Sequence, residues 1–215
     1  VNISNNDNKI IIYPEILASL IINKSEQKRL SIITNKITVN NKGLIHKLVE
    51  PELYFKENMN NDLQFVIKAK EFIYKPVFIK NNLITNLNMT GKLINYKGIN
   101  INNFYKWFSN EGGINLEKFK LDINQTKIIG SAFFGLDKNL NIQSSISFTS
   151  TNLYKLFLIL ENKNFITKNT LKTSNFIIKA IEISSAASNK VPNYSISIQN
   201  GYLSLMGIEL INIPN

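Results

Sequence analysis

The chain of 215 residues contains no cysteine and only one histidine, His46. Without cysteine it can form neither a disulfide nor a thiolate metal site, and it has no cysteine nucleophile. A zinc site of two histidines, or a triad with a histidine base, would lack partners within one chain. The sequence also has no Gly-rich phosphate-binding loop and no Gly-x-Ser-x-Gly elbow. These absences favour a non-catalytic protein that uses no metal and no cofactor.

One pair of carboxylates is a candidate for acid–base chemistry. Glu50 and Glu52 flank Pro51, and in an extended chain both side chains point to the same face. Paired carboxylates can act as a general acid and a general base. Two solvated acids at a strand edge are a far commoner arrangement, so we favour that interpretation.

The chain also has little guanidinium, although it is strongly basic. Its formal net charge is +10, yet Arg29 is the only arginine. The guanidinium group of arginine is the preferred donor of paired hydrogen bonds to phosphates and to the edges of guanine bases. The lysines are spread from Lys9 to Lys190 without a basic run. We therefore expect no nucleic-acid partner. The richness in Ile, Asn and Lys is typical of an AT-rich genome, and it leaves a cationic surface that favours anionic membranes or acidic partners.

No apolar run approaches the length of about 20 residues that a membrane-spanning helix needs. The chain begins with Val1 rather than Met. From this we expect an N-terminal signal or membrane anchor to precede the sequence. The composition does not shift along the chain, which indicates one domain over residues 1–215. Its half 1–100 is rich in strand patterns, and its half 101–215 combines strands, helices and a hairpin.

Alternating apolar and polar residues predict a sheet with one buried face. The pattern is regular over 63–69, 119–123 and 140–148, and a period of two is that of a half-buried strand. Residues 15–22 fit either a helix that opens at Pro14 or a strand, and we favour the strand. The other predicted strands are 10–12, 30–39, 53–55, 114–123, 128–136, and a pair, 83–89 and 93–96, across Gly91.

Three helices are predicted from capping residues and from apolar residues three and four positions apart. The first is capped by Asn102 or Asn103 and ends at Gly112 and Gly113, as a left-handed C-terminal cap would. The second runs over 151–162 and the third over about 170–187. The third helix places Ile177, Ala180, Ile181 and Ser184 on one stripe.

Turn residues connect the last strands. Asp137 marks the turn before residue 140, because Asp tolerates tight turns. Asn200 and Gly201 predict a type I′ hairpin turn between strands 194–198 and 202–206. Gly207 and Pro214 should then direct the tail away from the sheet. The expected fold class is α+β: a twisted, curved antiparallel sheet, mainly β, with about three short helices on one face.

Residues 100–215 resemble an alphaproteobacterial family of exported proteins that is defined only as a domain of unknown function. The similar segments are YKWFSNEGG, IIGSAFFGLDKNLNIQSSISFTS, NLYKLFLIL and SISIQNGYLSLMGIELINIP. The matching positions are Trp107, Gly112, Gly113, Leu136, Asp137, Asn200, Gly201, Gly207 and Pro214. The resemblance implies a periplasmic or envelope location with an N-terminal anchor. The layout is also similar, less closely, to larger envelope proteins whose curved sheets handle lipid.

Two functional hypotheses follow. In the first, the protein is a non-catalytic envelope protein that binds a lipid or another apolar ligand in a groove of the curved sheet. In the alternative, it is a structural or protein-interaction module that uses a sheet edge or its cationic face. The candidate groove walls, each of which also suits a core position, are Phe133, Phe134, Phe148, Leu156 and Phe157.

Overall fold

The computed structural model describes residues 2–5, 8–12, 15–22, 28–41, 44–58, 60–73, 83–99, 104–123, 126–137, 141–162 and 164–212. Within these residues, the strands form one curved, unclosed antiparallel sheet that three α-helices accompany. The predicted α+β class with a mainly β architecture is confirmed. Among the described helices, none has the length and hydropathy needed to cross a membrane.

In the described part of the N-terminal half, nine strands are followed by one turn of 3-10 helix, Tyr96–Gly98. The strands are β1 (Asn2–Asn5), β2 (Asn8–Ile12), β3 (Leu17–Ile22), β4 (Lys28–Ile33), β5 (Lys36–Asn41), β6 (Leu44–Val49), β7 (Glu52–Glu57), β8 (Leu63–Ile73) and β9 (Leu83–Ile94). The favoured strand over 15–22 is confirmed as β3. The single strand predicted over 30–39 is instead divided into β4 and β5, because the chain departs from regular strand structure at Thr34 and Asn35.

The C-terminal half alternates strands with helices. Its elements are α1 (Phe104–Ser109), β10 (Gly113–Ile123), β11 (Thr126–Leu136), β12 (Ile142–Ser150), α2 (Leu153–Asn162), α3 (Lys168–Ala187), β13 (Asn193–Gln199), β14 (Tyr202–Leu205) and β15 (Ile208–Asn212). Helix α3 starts two residues earlier than predicted, because Thr167 caps it by accepting a hydrogen bond from the Thr170 amide at 3.1 Å. The predicted caps Asn102 and Asn103, and Pro214, lie outside the described residues.

The sheet is a meander of long strands. Strands β6 and β7 lie end to end along β8 in one register, since Val49 is opposite Glu71 and Glu52 is opposite Lys68. Strands β5 and β4 lie beside them in the same way, followed by β2 and β3. On the other side of β8 the order is β9 to β15. Strands β2 with β3, β4 with β5, and β6 with β7 act as three long two-part strands. Each of these long strands pairs with the long strand that precedes or follows it in the chain.

A line of polar residues, here called the crease, crosses the sheet where these strands meet end to end. Three of its residues have positive φ, namely Glu15 (72°), Glu50 (48°) and Asn86 (52°). Asn35 links the first two, because its side-chain amide donates to Glu15 at 2.6 Å and its carbonyl accepts from the Glu50 amide at 2.8 Å. Asn86 donates to Asp122 at 2.7 Å.

The alternation of apolar residues changes phase at the crease. Along β8 the apolar positions run to Ala69 and resume three residues later at Phe72, rather than two. The same spacing of three occurs on the neighbouring strands at Leu48–Pro51 and Ile84–Leu87. The pairing of β8 with β9 continues in one register at this level, so the extra residue is shared by neighbouring strands rather than confined to one of them.

The principal core lies between the sheet and the last two helices. Helices α2 and α3 contribute Leu153, Phe157, Ile177 and Ile178, and the sheet contributes residues from β10 to β14, including Phe119 and Phe148. Helix α1 is anchored separately by Trp107, which is 1% exposed. The indole Nε1 of Trp107 donates to the carbonyl oxygens of Ile94 and Asn95 at 2.9 and 3.0 Å.

Three sequence predictions about glycine are wrong. Gly91 is not between two strands but inside β9, where a Cβ would overlap the carbonyl oxygen of Asn115 on β10. The left-handed residue after α1 is Glu111 (φ 60°), rather than Gly112 or Gly113. The tail does not leave the sheet at Gly207, because Met206 and Gly207 have φ of 53° and 79° and form a turn that returns the chain as β15.

Candidate functional site

An open groove lies on the N-terminal half of the sheet. It has a volume of about 470 Å³ and a mainly apolar surface. A row of directly opposed residues on β4, β7, β8 and β9 forms its floor: Ser31, Tyr54, Val66 and Thr90. Cross-strand partners project from the same face of a sheet, so these side chains line one surface.

Two cations line this groove side by side, and one carboxylate, Glu117 on β10, lines it as well. Arg29 on β4 is directly opposite Lys56 on β7, and both line the groove. Ile21, on the outer strand β3, is the partner of Arg29 on its other side. Directly opposed side chains of antiparallel strands have Cβ atoms about 5 Å apart. Within the described part of the chain, neither cation forms an ion pair with a carboxylate.

The groove and the core lie on opposite faces of the sheet. Leu30, Phe55 and Phe65 occupy the alternate positions of the same strands. They also border the groove, and the alternation of the strands directs their side chains to the other face. Phe65 is 6% exposed there. Along β8 and β9 that face continues through the opposed pair Ile67 and Met89, and Met89 packs against the core.

A pair of buried carboxylates lies at the end of β7. Glu57 accepts a hydrogen bond from the Tyr96 hydroxyl at 2.6 Å and forms an ion pair with Lys97 at 3.1 Å. The Tyr96 hydrogen bond, and next the Lys97 hydrogen bond, hold the pKa of Glu57 below its usual 4.5. Burial, and then Glu57, raise the pKa of Tyr96 to about 12. Asp62 is 3.5 Å from the Lys92 ammonium. These contacts fasten the β7–β8 turn to the segment after β9.

The carboxylates considered for acid–base chemistry are paired with lysines. Glu50 lies 3.1 Å from the Lys70 ammonium, and Glu52 lies 3.3 Å from that of Lys68. All four side chains are partly exposed. Among the residues described, no group of three or more His, Asp or Glu side chains is placed to hold a metal ion. These glutamates therefore form solvated ion pairs along β8.

The predicted groove walls divide between the two faces of the sheet. Phe134, Phe148, Leu156 and Phe157 come together in the core, where Phe148 is 4% and Phe157 is 6% exposed. Phe133 projects from the other face of β11 and is 39% exposed. Contact of any of these side chains with a ligand stays a prediction, and the open groove is lined by other residues.

Two of the predicted turn positions have the expected geometry. Asn200 and Gly201 have φ of 52° and 77°, and Gln199 pairs with Tyr202 across them, as a two-residue hairpin turn requires. Asp137 accepts hydrogen bonds from the backbone amide and the side-chain amide of Asn141, at 2.9 and 3.1 Å. Asp137 therefore closes the connection between β11 and β12.

Sequence reasoning missed the groove residues. Tyr54, Lys56 and Val66 lie in ordinary alternating strands, and Arg29 attracted attention only as the single arginine. These residues are brought together only by the pairing register of four strands. This register depends on contacts between distant parts of the chain, so a local pattern cannot reveal it.

Comparisons of the chain with protein-family models, with curated proteins and with solved structures find no match. The resemblance of residues 100–215 to exported alphaproteobacterial proteins therefore stays a prediction. The proposals that follow depend on geometry, burial and charge.

Proposed function

We propose that this protein is a non-catalytic binder of an amphiphilic lipid. The acyl chain lies in the groove over Tyr54 and Val66, and the anionic head group lies against Arg29 and Lys56. One observation carries the proposal: a mainly apolar groove contains two neighbouring cations that have no ion-pair partner among the described residues.

The size and surface of the groove suit one apolar chain. A volume of about 470 Å³ falls within the range of about 300–1,000 Å³ that is usual for small-molecule sites. Each methylene group removed from water contributes about 0.8 kcal/mol. A chain with about ten buried methylenes would gain about 8 kcal/mol. The costs of association and ordering are subtracted from this gain, so micromolar affinity is its upper limit.

The two cations favour a carboxylate or phosphate head group. A guanidinium presents parallel N–H donors that match two oxygens of such a group, and the lysine adds a second positive charge. Both side chains stand on the same face as the apolar floor. A ligand could therefore contact the floor with its chain and the cations with its head at the same time.

We place this activity in the bacterial cell envelope, at the periplasmic side of a membrane. The proposal of an envelope location is supported by the resemblance of residues 100–215 to exported proteins. Immunoblots of the periplasmic, membrane and cytoplasmic fractions of cells that express the full-length gene test the location. Recovery in the cytoplasmic fraction alone would contradict it.

Lipid capture by the purified protein tests the groove. Native mass spectrometry after mild purification should show a lipid adduct, and oleate should displace a bound fluorescent fatty acid. Val66→Gln makes the floor polar and should weaken fatty-acid binding about tenfold. The double variant Arg29→Gln/Lys56→Gln should lose the preference for oleate over oleyl alcohol, which has the same chain without the charge.

A matched control separates the groove from general surface effects. Ile129→Gln makes the same kind of change at a 40% exposed position on β11 that does not line the groove, and it should leave fatty-acid binding unchanged. The groove assignment fails if the parent takes up no lipid, or if Val66→Gln and Ile129→Gln bind fatty acid equally well.

The free edge of β3 favours a second candidate function, a protein-interaction module. Among the described strands β3 pairs only with β4, and all six of its residues are exposed. Leu17 and Leu20 are 72% and 63% exposed. An apolar edge strand with unpaired backbone groups can accept a strand from a protein partner.

This alternative predicts a different response to mutation. Leu20→Lys places a charge on the edge and should abolish strand addition while leaving the groove floor intact. Size-exclusion chromatography with light scattering would then show loss of a complex that the parent forms, with fatty-acid binding retained. A parent that is monomeric and binds no envelope protein would exclude the interaction module.

A further inference from the structure

The outward side of helix α3 combines apolar and basic side chains in one stripe. Phe176 and Ile183 are 75% and 72% exposed, although both are large and apolar. Lys172 and Lys179 are also exposed. Positions 172, 176, 179 and 183 are spaced by four, three and four, so they lie on one side of the helix. These four residues are called the outer stripe.

The opposite side of α3 packs on the protein. Ser174, Ile177 and Ile178 are the buried residues of the helix. Glu182 is the only acidic residue in α3. Glu182 is exposed, and its carboxylate accepts a hydrogen bond at 3.3 Å from the hydroxyl of Tyr194 on β13. It lies beside the outer stripe, three residues after Lys179, and the charged residues of the stripe itself are both lysines.

Exposed residues of the same kind also occur near both ends of the helix. Lys168 begins the helix, and Lys190 with Val191 follows its end, where Val191 is 72% exposed. The helix of 20 residues is about 30 Å long. The resulting surface is long and nearly straight, with apolar side chains along its middle and lysines beside them.

We propose that the outer stripe of α3 docks on an anionic lipid bilayer. The helix lies in the plane of the interface, with Phe176 and Ile183 inserted at the head-group level. Lys172 and Lys179 extend their apolar stems along the bilayer surface and place their ammonium groups on lipid phosphates. Charge complementarity selects this occupant, because the stripe is basic and the surface of an anionic membrane is negative.

The composition of the stripe argues against a protein partner. The centres of protein interfaces are depleted of lysine and enriched in arginine. The outer stripe contains two lysines, and α3 contains no arginine. A flat, fluid and negatively charged surface accommodates flexible lysines, whereas a closely packed protein interface would have to desolvate and order them.

Vesicle flotation tests the proposal. The parent should float with vesicles of equal parts phosphatidylcholine and phosphatidylglycerol, but not with phosphatidylcholine alone, and high salt should release it. Lys172→Gln and Lys179→Gln should each weaken binding about fivefold. Phe176→Ser with Ile183→Ser should weaken it about tenfold. Circular dichroism and thermal melting confirm that each variant is folded.

Matched variants on other surfaces make the result decisive. Lys118→Gln/Lys120→Gln removes two exposed lysines from β10, and Tyr105→Ser removes a 66% exposed aromatic ring from α1. These variants should bind anionic vesicles like the parent. The proposal fails if they weaken binding as much as the stripe variants, or if the parent binds no anionic vesicles.

A self-association test asks whether the outer stripe instead binds a second copy of the chain. Sedimentation of the lipid-free protein should show no dimer that the stripe variants abolish. If Phe176→Ser with Ile183→Ser removes a concentration-dependent dimer, the stripe is a contact between copies of the chain and the membrane proposal is overturned. The groove lies on the face of the sheet opposite to helices α2 and α3. Substitutions of groove residues therefore do not affect this test.

Discussion

The two halves of the sheet bury their apolar side chains in different ways. In the C-terminal half, α2 and α3 cover one face, and Tyr194 and Leu205 are almost completely buried, at 1% and 0% exposed. In the N-terminal half, the described residues form no α-helix, and the outer strand β3 leaves Leu17 and Leu20 largely exposed. One half therefore has a helix-covered core, and the other has a bare sheet.

The helix-covered half contributes most of the stability, whereas the bare half provides the accessible binding surface. Side chains under the helices lose their contact with water and contribute most of the hydrophobic free energy. The bare half retains the apolar groove and the open edge of β3, both of which are accessible to a partner.

The largest expected effect on stability comes from removing an aromatic ring from the helix-covered core. Phe157→Ala deletes a 6% exposed side chain between α2 and the sheet, and it should lower the free energy of unfolding by about 3–5 kcal/mol. Phe176→Ala, at 75% exposed on α3, should change it by less than about 0.5 kcal/mol. Urea denaturation measures both. Equal effects would show that the helices do not cover the core.

The second test breaks the junction between the halves. Gly91→Ala places a Cβ against the carbonyl oxygen of Asn115, so β9 and β10 must separate, at a cost of about 1–3 kcal/mol. Gly98→Ala is the control, because a Cβ there is at least 3.7 Å from its neighbours. The close approach of β9 and β10 is contradicted if both variants unfold at the same urea concentration.

The third test concerns the hairpin in the helix-covered half. Gly201→Val requires a β-branched residue at φ 77° and should cost about 1–3 kcal/mol. Gly201→Asn should cost less, because asparagine tolerates the left-handed region. A valine variant that melts at the same temperature as the parent would refute the assigned turn. Differential scanning calorimetry provides the measurement.

The fourth test uses the alkaline titration of a buried tyrosine in the helix-covered half. Burial, and then the charge of Glu182, raise the pKa of Tyr194 from 10.0 to about 12. The unfolded chain loses this proton at lower pH than the folded protein, so stability should fall as the pH rises from about 10 to about 12. Tyr194→Phe should remove this part of the fall, and Tyr105→Phe should not. Urea titrations across this pH range compare the two variants.

The smallest expected effect concerns the bare half. The pKa of Glu57 is lowered in the folded protein, so its carboxylate stabilises the fold above the usual pKa of 4.5, and this contribution is lost as the pH falls below it. Tyr96→Phe removes the largest cause and should raise the pKa of Glu57, measured by carboxyl NMR. Tyr54→Phe, which removes a hydrogen bond to Glu52 at 3.3 Å, should leave the titration of Glu57 unchanged.

Local sequence patterns predicted individual strands and turns better than they predicted which strands lie side by side. The alternation over 63–69 correctly indicated β8, and Asn200 with Gly201 correctly indicated a hairpin. Gly91 was misplaced because a turn and a close approach of two strands both require glycine, and only the position of Asn115 distinguishes them. The strand β15 was missed because Gly207 can end a strand or turn it back.

The sequence by itself determined the class of the fold, the approximate positions of most strands and helices, and the exclusion of cysteine chemistry. These properties follow from composition and from periods of two and 3.6, which are local. Only the tertiary structure decided which strands are neighbours, where the crease crosses the sheet, and that Arg29 stands beside Lys56 in an apolar groove. Register joins residues that are distant in the chain, and its free energy depends on all the pairs of a sheet together.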